Sequence, residues 1–259
     1  RDRHARAEDA AQDAGWQRPV QRTAARRPVP PAEAARATGG RVTGILRRIF
    51  GGGREQDDGR DYDIRLVFAL GNPGKEYAGN RRNVGFWVAT RLAKRHGLDF
   101  ATKTGTYALA EGEIGGRRIA IAKTRTYNND SGRAVMALIS KLKLDHAREM
   151  LVVCDHLDLP TGKVRIRRDG SGGGQKGVAD IIAKTRTDAF PRVRIGIGRP
   201  AHRGEPTRDP DHVAGWVLSD PGPDVQRLLD AAVDRAVEAI ECALAEGVEA
   251  AMNRYNRDD

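Results

Sequence analysis

The sequence predicts an α/β fold with a mixed β-sheet from residue 64 onward. Three observations carry this. Short apolar runs rich in β-branched and aromatic residues alternate with segments whose apolar residues recur at helical spacing. A Gly-Gly pair joins two of the runs as a hairpin, so part of the sheet is antiparallel. A glycine-rich stretch separates a strand from a helix, and open α/β sheets build ligand sites at such strand ends.

Residues 1–63 stand apart as a basic N-terminal extension expected to be disordered. The first 60 residues hold 13 Arg, no Lys and 8 acids, and they offer no periodic apolar face beyond a short turn at 42–50. Their arginines suggest a transit peptide, although such peptides avoid acids. The chain opens on Arg1, which reads as a fragment. From residue 64 the pattern is regular. IRLVFAL (64–70) is a buried strand ending in a Gly-Asn-Pro-Gly turn. Val84, Trp87, Val88 and Leu92 mark a helix that stops at Gly97. TYALAEGEI and RRIAIAK flank Gly115-Gly116 as a hairpin. Asp130 or Ser131 is placed to cap a helix carrying Val135, Leu138, Ile139 and Leu142. MLVVC (150–154) and KVRIRR (163–168) are strands. A helix follows the glycine loop at 170–174, then strand RVRIGIG (192–198). Val225 to Leu244 form a long amphipathic helix that Gly247 breaks.

The net charge of +10 and pI near 10.0 point to an anionic partner, nucleic acid before an acidic membrane. No apolar run approaches the ~18 residues of a membrane span. Cys154 and Cys242 make no disulfide framework, which fits a reducing compartment, and the histidines lack metal-ligand spacing. Residues 172–177 fit G-x-G-x-x-G, but no acid ends the next strand, and Gln175-Lys176-Gly177 stands where a P-loop needs Gly-Lys-Ser/Thr. Nucleotide binding is therefore disfavoured. A backbone turn open to a phosphate remains. Lys163, Arg165, Arg167 and Arg168 precede that turn, with Arg165 and Arg167 on one strand face. Asn72, Asn83, Asn129 and Asp155 all fall at predicted strand ends or the turns beyond them, which suggests one polar cleft.

GNPGKEYAGNRRNVGFW, TYNNDSGRAV, CDHLDLPTGKVRIRRDGSGGGQKG, RVRIGIGRP and AAMNRYN occur in this order over residues 64–256. In that arrangement the chain resembles the bacterial peptidyl-tRNA hydrolase family. The resemblance implies a single globular peptidyl-tRNA hydrolase-like α/β domain over residues 64–256, its mixed sheet sandwiched between helices, that binds the tRNA acceptor end and cleaves the ester joining peptide to tRNA. It implies no metal or organic cofactor, a monomer, and a cytoplasmic setting, or an organelle matrix if the extension is a transit peptide. Asn72 and Asn129 match active-site asparagines of the family, Asp155 the carboxylate that orients its base, and Tyr77 a tyrosine that meets the tRNA end. Asn83, Arg165, Arg167, Arg168, Gln175 and Lys176 are expected to contact tRNA. The Met before Asn129 in the family motif is Asn128 here. Arg82 stands where the family has its catalytic His, and Gln175-Lys176 where it has His-Asn.

Ester hydrolysis needs a base near neutral pKa to activate water. Arginine keeps its proton and offers only donors, and an ordinary carboxylate of pKa about 3.9 is a poor base at pH 7. His156 is the nearest spare imidazole, but strand alternation turns it away from Asp155. Two functions compete on this reading. One is a peptidyl-tRNA hydrolase with impaired chemistry. The other is a non-catalytic RNA-binding relative within a ribosome or other ribonucleoprotein.

Overall fold

The computed structural model describes residues 62–257, apart from the side chains of His146 and Ala147. The expected N-terminal extension lies outside these residues except for Tyr62 and Asp63, and both join the domain. Tyr62 packs on the core and Asp63 accepts from Arg117.

Seven strands form one sheet. They are β1 (Leu66–Ala69), β2 (Thr102–Lys103), β3 (Tyr107–Ile114), β4 (Arg117–Thr124), β5 (Met150–His156), β6 (Val164–Arg167) and β7 (Arg192–Gly196), in the order β2-β3-β4-β1-β5-β7-β6. The centre is parallel: Leu66 of β1 faces both Ala120 and Met150, and Val152 faces Arg192. Toward the two edges the pairs β2–β3, β3–β4 and β6–β7 are antiparallel, so the sheet is mixed as the hairpin signal requires. All of β1 is buried because apolar layers cover both faces. Val67 and Ala69 join the core under α1 (Val84–Arg95) and α6 (Pro223–Glu246). Leu66 and Phe68 join the core under α2 (Ser131–Leu142) and α4 (Lys176–Thr185).

Several short elements have no counterpart in the sequence reading. They are α3 (His146–Glu149), the hairpin β8 (Ala201–His202) and β9 (Glu205–Pro206), α5 (Pro210–Val217) and α7 (Val248–Tyr255). For α5 the signal was present: Asp209 precedes Pro210, and its Oδ1 accepts the N–H groups of Asp211 and His212 at 3.1 Å. For α2 the expected cap takes another form. Asp130 occupies the N-cap position but makes no side-chain cap bond. Its carboxylate pairs instead with Arg133 and Lys184, each at 2.9 Å, and Ser131 Oγ donates to Asn128 O at 2.8 Å. At the other sheet edge, Asn256 just past α7 accepts the N–H of Ile166 at 2.7 Å and donates to its C=O at 2.9 Å. One amide side chain thus pairs both backbone groups of a β6 residue.

Lys123, near the end of β4, sits 4.2 Å from the Phe100 ring centroid and donates to Thr90 Oγ1 at 2.6 Å. Burial lowers its pKa to about 8. The unfolded chain therefore holds more protons than the fold between about pH 8 and the usual lysine value near 10.4, and stability from this group rises with pH across that window. Lys123→Met should abolish the rise. Relative to the variant, the wild type should gain on the order of 1–2 kcal/mol from pH 8 to 10. Denaturant midpoints at the two pH values measure this, and a constant gap would contradict it.

Candidate active site

The parallel strands β4, β1 and β5 end side by side, and the loops beyond them build one polar cleft. The chain leaves β1 through Gly71 and Asn72 and passes a short 3-10 turn at Lys75–Tyr77 and another at Arg81–Asn83 before entering α1. Gly85 lets α1 sit directly on the strand ends, since a Cβ there would lie 2.6 Å from Leu70 O. The chain leaving β4 makes a third 3-10 turn at Asn128–Asp130, and β5 ends with Asp155 and His156. Asp155 is buried, with 1% relative exposure.

A continuous hydrogen-bonded network crosses this cleft. Arg82 NH1 donates to Asp155 Oδ2 at 2.5 Å, and Gln175 Nε2 donates to Asp155 Oδ1 at 2.8 Å. Gln175 is also the N-cap of α4: its Oε1 accepts from Gly177 N at 2.5 Å and Val178 N at 3.3 Å. That double acceptance fixes the amide's orientation, so its NH2 must face Asp155. Asn128 completes a reciprocal amide pair with Gln175, at 3.2 Å and 3.3 Å. Asn128 N then donates to Asn72 Oδ1 at 2.9 Å. Asn72 N donates to Asn83 Oδ1 at 2.7 Å, and Asn83 Nδ2 returns to Asn72 O at 3.0 Å. Arg82, Asp155, Gln175, Asn72 and Asn83 are therefore brought together as one unit. Asn128, which stands where the family has Met, is the link that the sequence reading did not include.

The other candidates fall at the rim. Asn129 is exposed beside Asn128, Lys176 is exposed at the start of α4, and Tyr77 is half-buried on the loop after Asn72. Arg167 joins the buried Arg192 and the half-buried Arg194 around a cavity of about 270 Å³. Cys154, His156, Asp169, Gln175, Val178 and residues 170–173 of the glycine loop complete its wall. Cross-strand register pairs Arg165 with Arg194 and Arg167 with Arg192. The RVR alternation of β7 was visible in sequence, but its pairing with β6 was not. Arg168 goes elsewhere, bonding Glu249 of α7 at 2.7 Å and lying over Tyr62. The reason is strand alternation: Arg168 follows Arg167 and leaves the sheet toward the α7 layer. Burial lowers the pKa of Arg192 and of Arg194, although both stay cationic. Arg192 is held by the carbonyls of Ser171 (2.7 Å), Gly170 and Asp188 (2.8 Å). The buried Nε atoms of Arg192 and Arg194 have no hydrogen-bond partner among the described residues.

The cleft therefore offers a carboxylate with both oxygens hydrogen-bonded, several amide groups and a wall of guanidinium donors. It can bind acceptors and anions. Arg82 offers only donors, and each Asp155 oxygen accepts one hydrogen bond, from Arg82 and from Gln175.

The model of the family described as "Peptidyl-tRNA hydrolase" matches residues 66–259. A peptidyl-tRNA hydrolase of Chloroflexus aurantiacus is 45% identical over 191 residues, covering 74% of this chain and 98% of that protein. One of Dehalococcoides mccartyi is 42% identical over 193 residues, covering 74% and 100%. The crystal structure of peptidyl-tRNA hydrolase from Acinetobacter baumannii superposes with a TM-score of 0.69 at 31% identity, over 76% of this chain and 96% of that one. A peptidyl-tRNA hydrolase in complex with N-propanol gives 0.68 at 32%, over 75% and 95%. With the same mixed sheet between helices and the family's motifs around the strand ends, the chain belongs to the peptidyl-tRNA hydrolase family.

Proposed function

We propose that this protein binds the acceptor end of tRNA in the cleft beyond β1, β4 and β5, and that it hydrolyses the peptidyl ester poorly. The observation that carries the reading is the 2.5 Å bond from Arg82 to Asp155. A guanidinium fills the place of a proton acceptor, and the carboxylate that would orient such an acceptor is already occupied. Losing a general base costs about 10²–10⁴ in rate. The Arg167, Arg192 and Arg194 cavity and Lys176 do not depend on that base, so binding survives. The guanidinium wall also favours a second reading, a non-catalytic RNA-binding relative attached to a ribosome or ribonucleoprotein. A turnover assay on purified peptidyl-tRNA beside a tRNA-binding assay separates the two. Tight binding with slow turnover supports the impaired hydrolase, and binding with no turnover supports the second reading. Turnover at the rate of a His-bearing family member would refute both.

Binding should weaken as salt rises, because phosphate contacts release counterions. Replacing Arg167 and Lys176 together with Ala should reduce the slope of log K against log salt by roughly 1–2. An unchanged slope would place the RNA elsewhere. No helix among the described residues is long and apolar enough to cross a membrane. We place the protein as a monomer in the cytoplasm, or in an organelle matrix if residues 1–63 direct it there.

A further inference from the structure

Among the described residues His156 is the one imidazole at the cleft, and the binding reading above leaves it without a role. It closes β5 and is 9% exposed. Its ring stands at the wall of the 270 Å³ cavity, beside Arg194 and under the glycine loop. A Cβ on Gly173 would lie 3.2 Å from His156 Nε2, so the absence of a side chain at residue 173 leaves that nitrogen uncovered.

The hydrogen bonds around the ring are unbalanced. Asp158 N–H donates to Nδ1 at 3.2 Å. The turn carrying this donor is held by the Asp158–Arg199 ion pair. A neutral imidazole has one acceptor nitrogen and one N–H. With Nδ1 accepting, the proton sits on Nε2. Yet Nε2 faces Arg194 NH1 at 3.3 Å, which is also a donor. Two donors thus converge with no acceptor between them. The buried Nε atoms of Arg194 and Arg192, on the same strand, also have no acceptor among the described residues. Burial, then the Arg194 charge, lowers the His156 pKa, in the direction of the neutral ring.

A group made only of acceptors, carrying negative charge, would accept from Nε2 and from Arg194 NH1 together, in a cavity that Arg192 and Arg167 also line. A phosphate has that chemistry, and charge-assisted bonds to it are strong. We infer that His156 is a phosphate ligand of this protein, donating from Nε2 to the same RNA phosphate that Arg194, Arg192 and Arg167 hold beneath the glycine loop. This deepens the proposed tRNA-binding function and rests on it for the identity of the polymer. It does not make His156 a base, because the only nitrogen able to accept is taken by Asp158 N–H.

The test follows the His156 ring by 15N NMR while sulfate, whose charge is fixed between pH 6 and 8, is added to the full chain. The same samples are then titrated with tRNA. The expected result is an Nε2-protonated ring at pH 7 whose Nε2–H signal shifts on saturation with sulfate. His156→Phe, which keeps a ring without a donor, should lose about tenfold in affinity for sulfate and for tRNA. His156→Gln, whose amide reaches a similar point with an N–H, should stay within about threefold of wild type. An Nδ1-protonated ring, or a ring untouched by sulfate, would overturn the inference, and so would equal losses in the Phe and Gln variants. The first two readings use wild-type protein and so do not depend on either variant folding. If tRNA binds while sulfate leaves the ring unmoved, the inference fails and the binding function stands. If sulfate moves the ring and tRNA does not bind, the phosphate ligand stands and the tRNA reading fails.

Discussion

Arg82→His should raise peptidyl-tRNA hydrolysis by about 10²–10⁴ over the wild type. The substitution frees Asp155 Oδ2, which now accepts from Arg82, to accept from the new imidazole instead. A carboxylate held in that way fixes the tautomer and supports the imidazolium that forms when water is deprotonated. Gln175 remains on Oδ1 and keeps the carboxylate in place. Asn72 keeps its bond from Asn128 N and stays on the same side of the cleft. Room for the water is close at hand. A pocket of about 10 Å³ between Arg82, Asp155, Gln175 and Gly173-Gly174 is near the minimum that holds one water, and the smaller imidazole enlarges it. The rate should follow a group titrating near the histidine reference value of about 6.5. Single-turnover assays across pH 5.5–8 would show it. A wild type already as fast as the variant would mean that another base is at work. Converting Gln175 to His as well has a separate cost: it removes the double acceptor that caps α4, about 1 kcal/mol.

The Arg82–Asp155 pair should also show a lopsided stability effect. Arg82→Ala leaves a carboxylate of 1% side-chain exposure with Gln175 as its remaining side-chain partner. Stranding a buried charge costs about 3–5 kcal/mol. Asp155→Asn strands less. The Arg82 side chain is 12% exposed and can turn its charge toward water, and the neutral amide still fills the same volume. Its cost should be about 1–2 kcal/mol, from one of two hydrogen bonds at the carboxylate position. Urea midpoints at pH 7 compare the two variants. If Asp155→Asn proved the more damaging, the carboxylate would be anchoring the glycine loop through Gln175 more strongly than it is held by Arg82.

Much of this was legible in the residues. The central strands announced themselves as apolar runs, and Gly115-Gly116 announced the hairpin, because burial and turn geometry leave direct marks on local sequence. Two of the cleft residues were legible from strand ends, Asn72 in the turn after β1 and Asp155 near the end of β5, and Arg82 and Gln175 from the resemblance of their motifs to the family. Their partnership was not. Asn128 looks like an ordinary turn residue until Gln175, 47 positions away, supplies the other half of an amide pair. The guanidinium wall depends on β6 lying against β7 in one register, which is a long-range fact that no local period encodes. Arg168 shows the same limit in reverse: Arg167 lines the cavity, and one step further along the chain Arg168 reaches Glu249 and Tyr62 instead.

The amide of Asn256 has a consequence in time. It closes the outer edge of β6 by bonding Ile166, 90 residues earlier in the chain. At a synthesis rate of roughly 5–20 residues per second, that edge waits about 5–20 s on the ribosome before its seal exists. During the wait Ile166 offers a raw donor and acceptor to any neighbouring strand, and Arg165 and Arg167 along the same strand, with Lys163 just before it, are the charges that keep a like-charged nascent chain away.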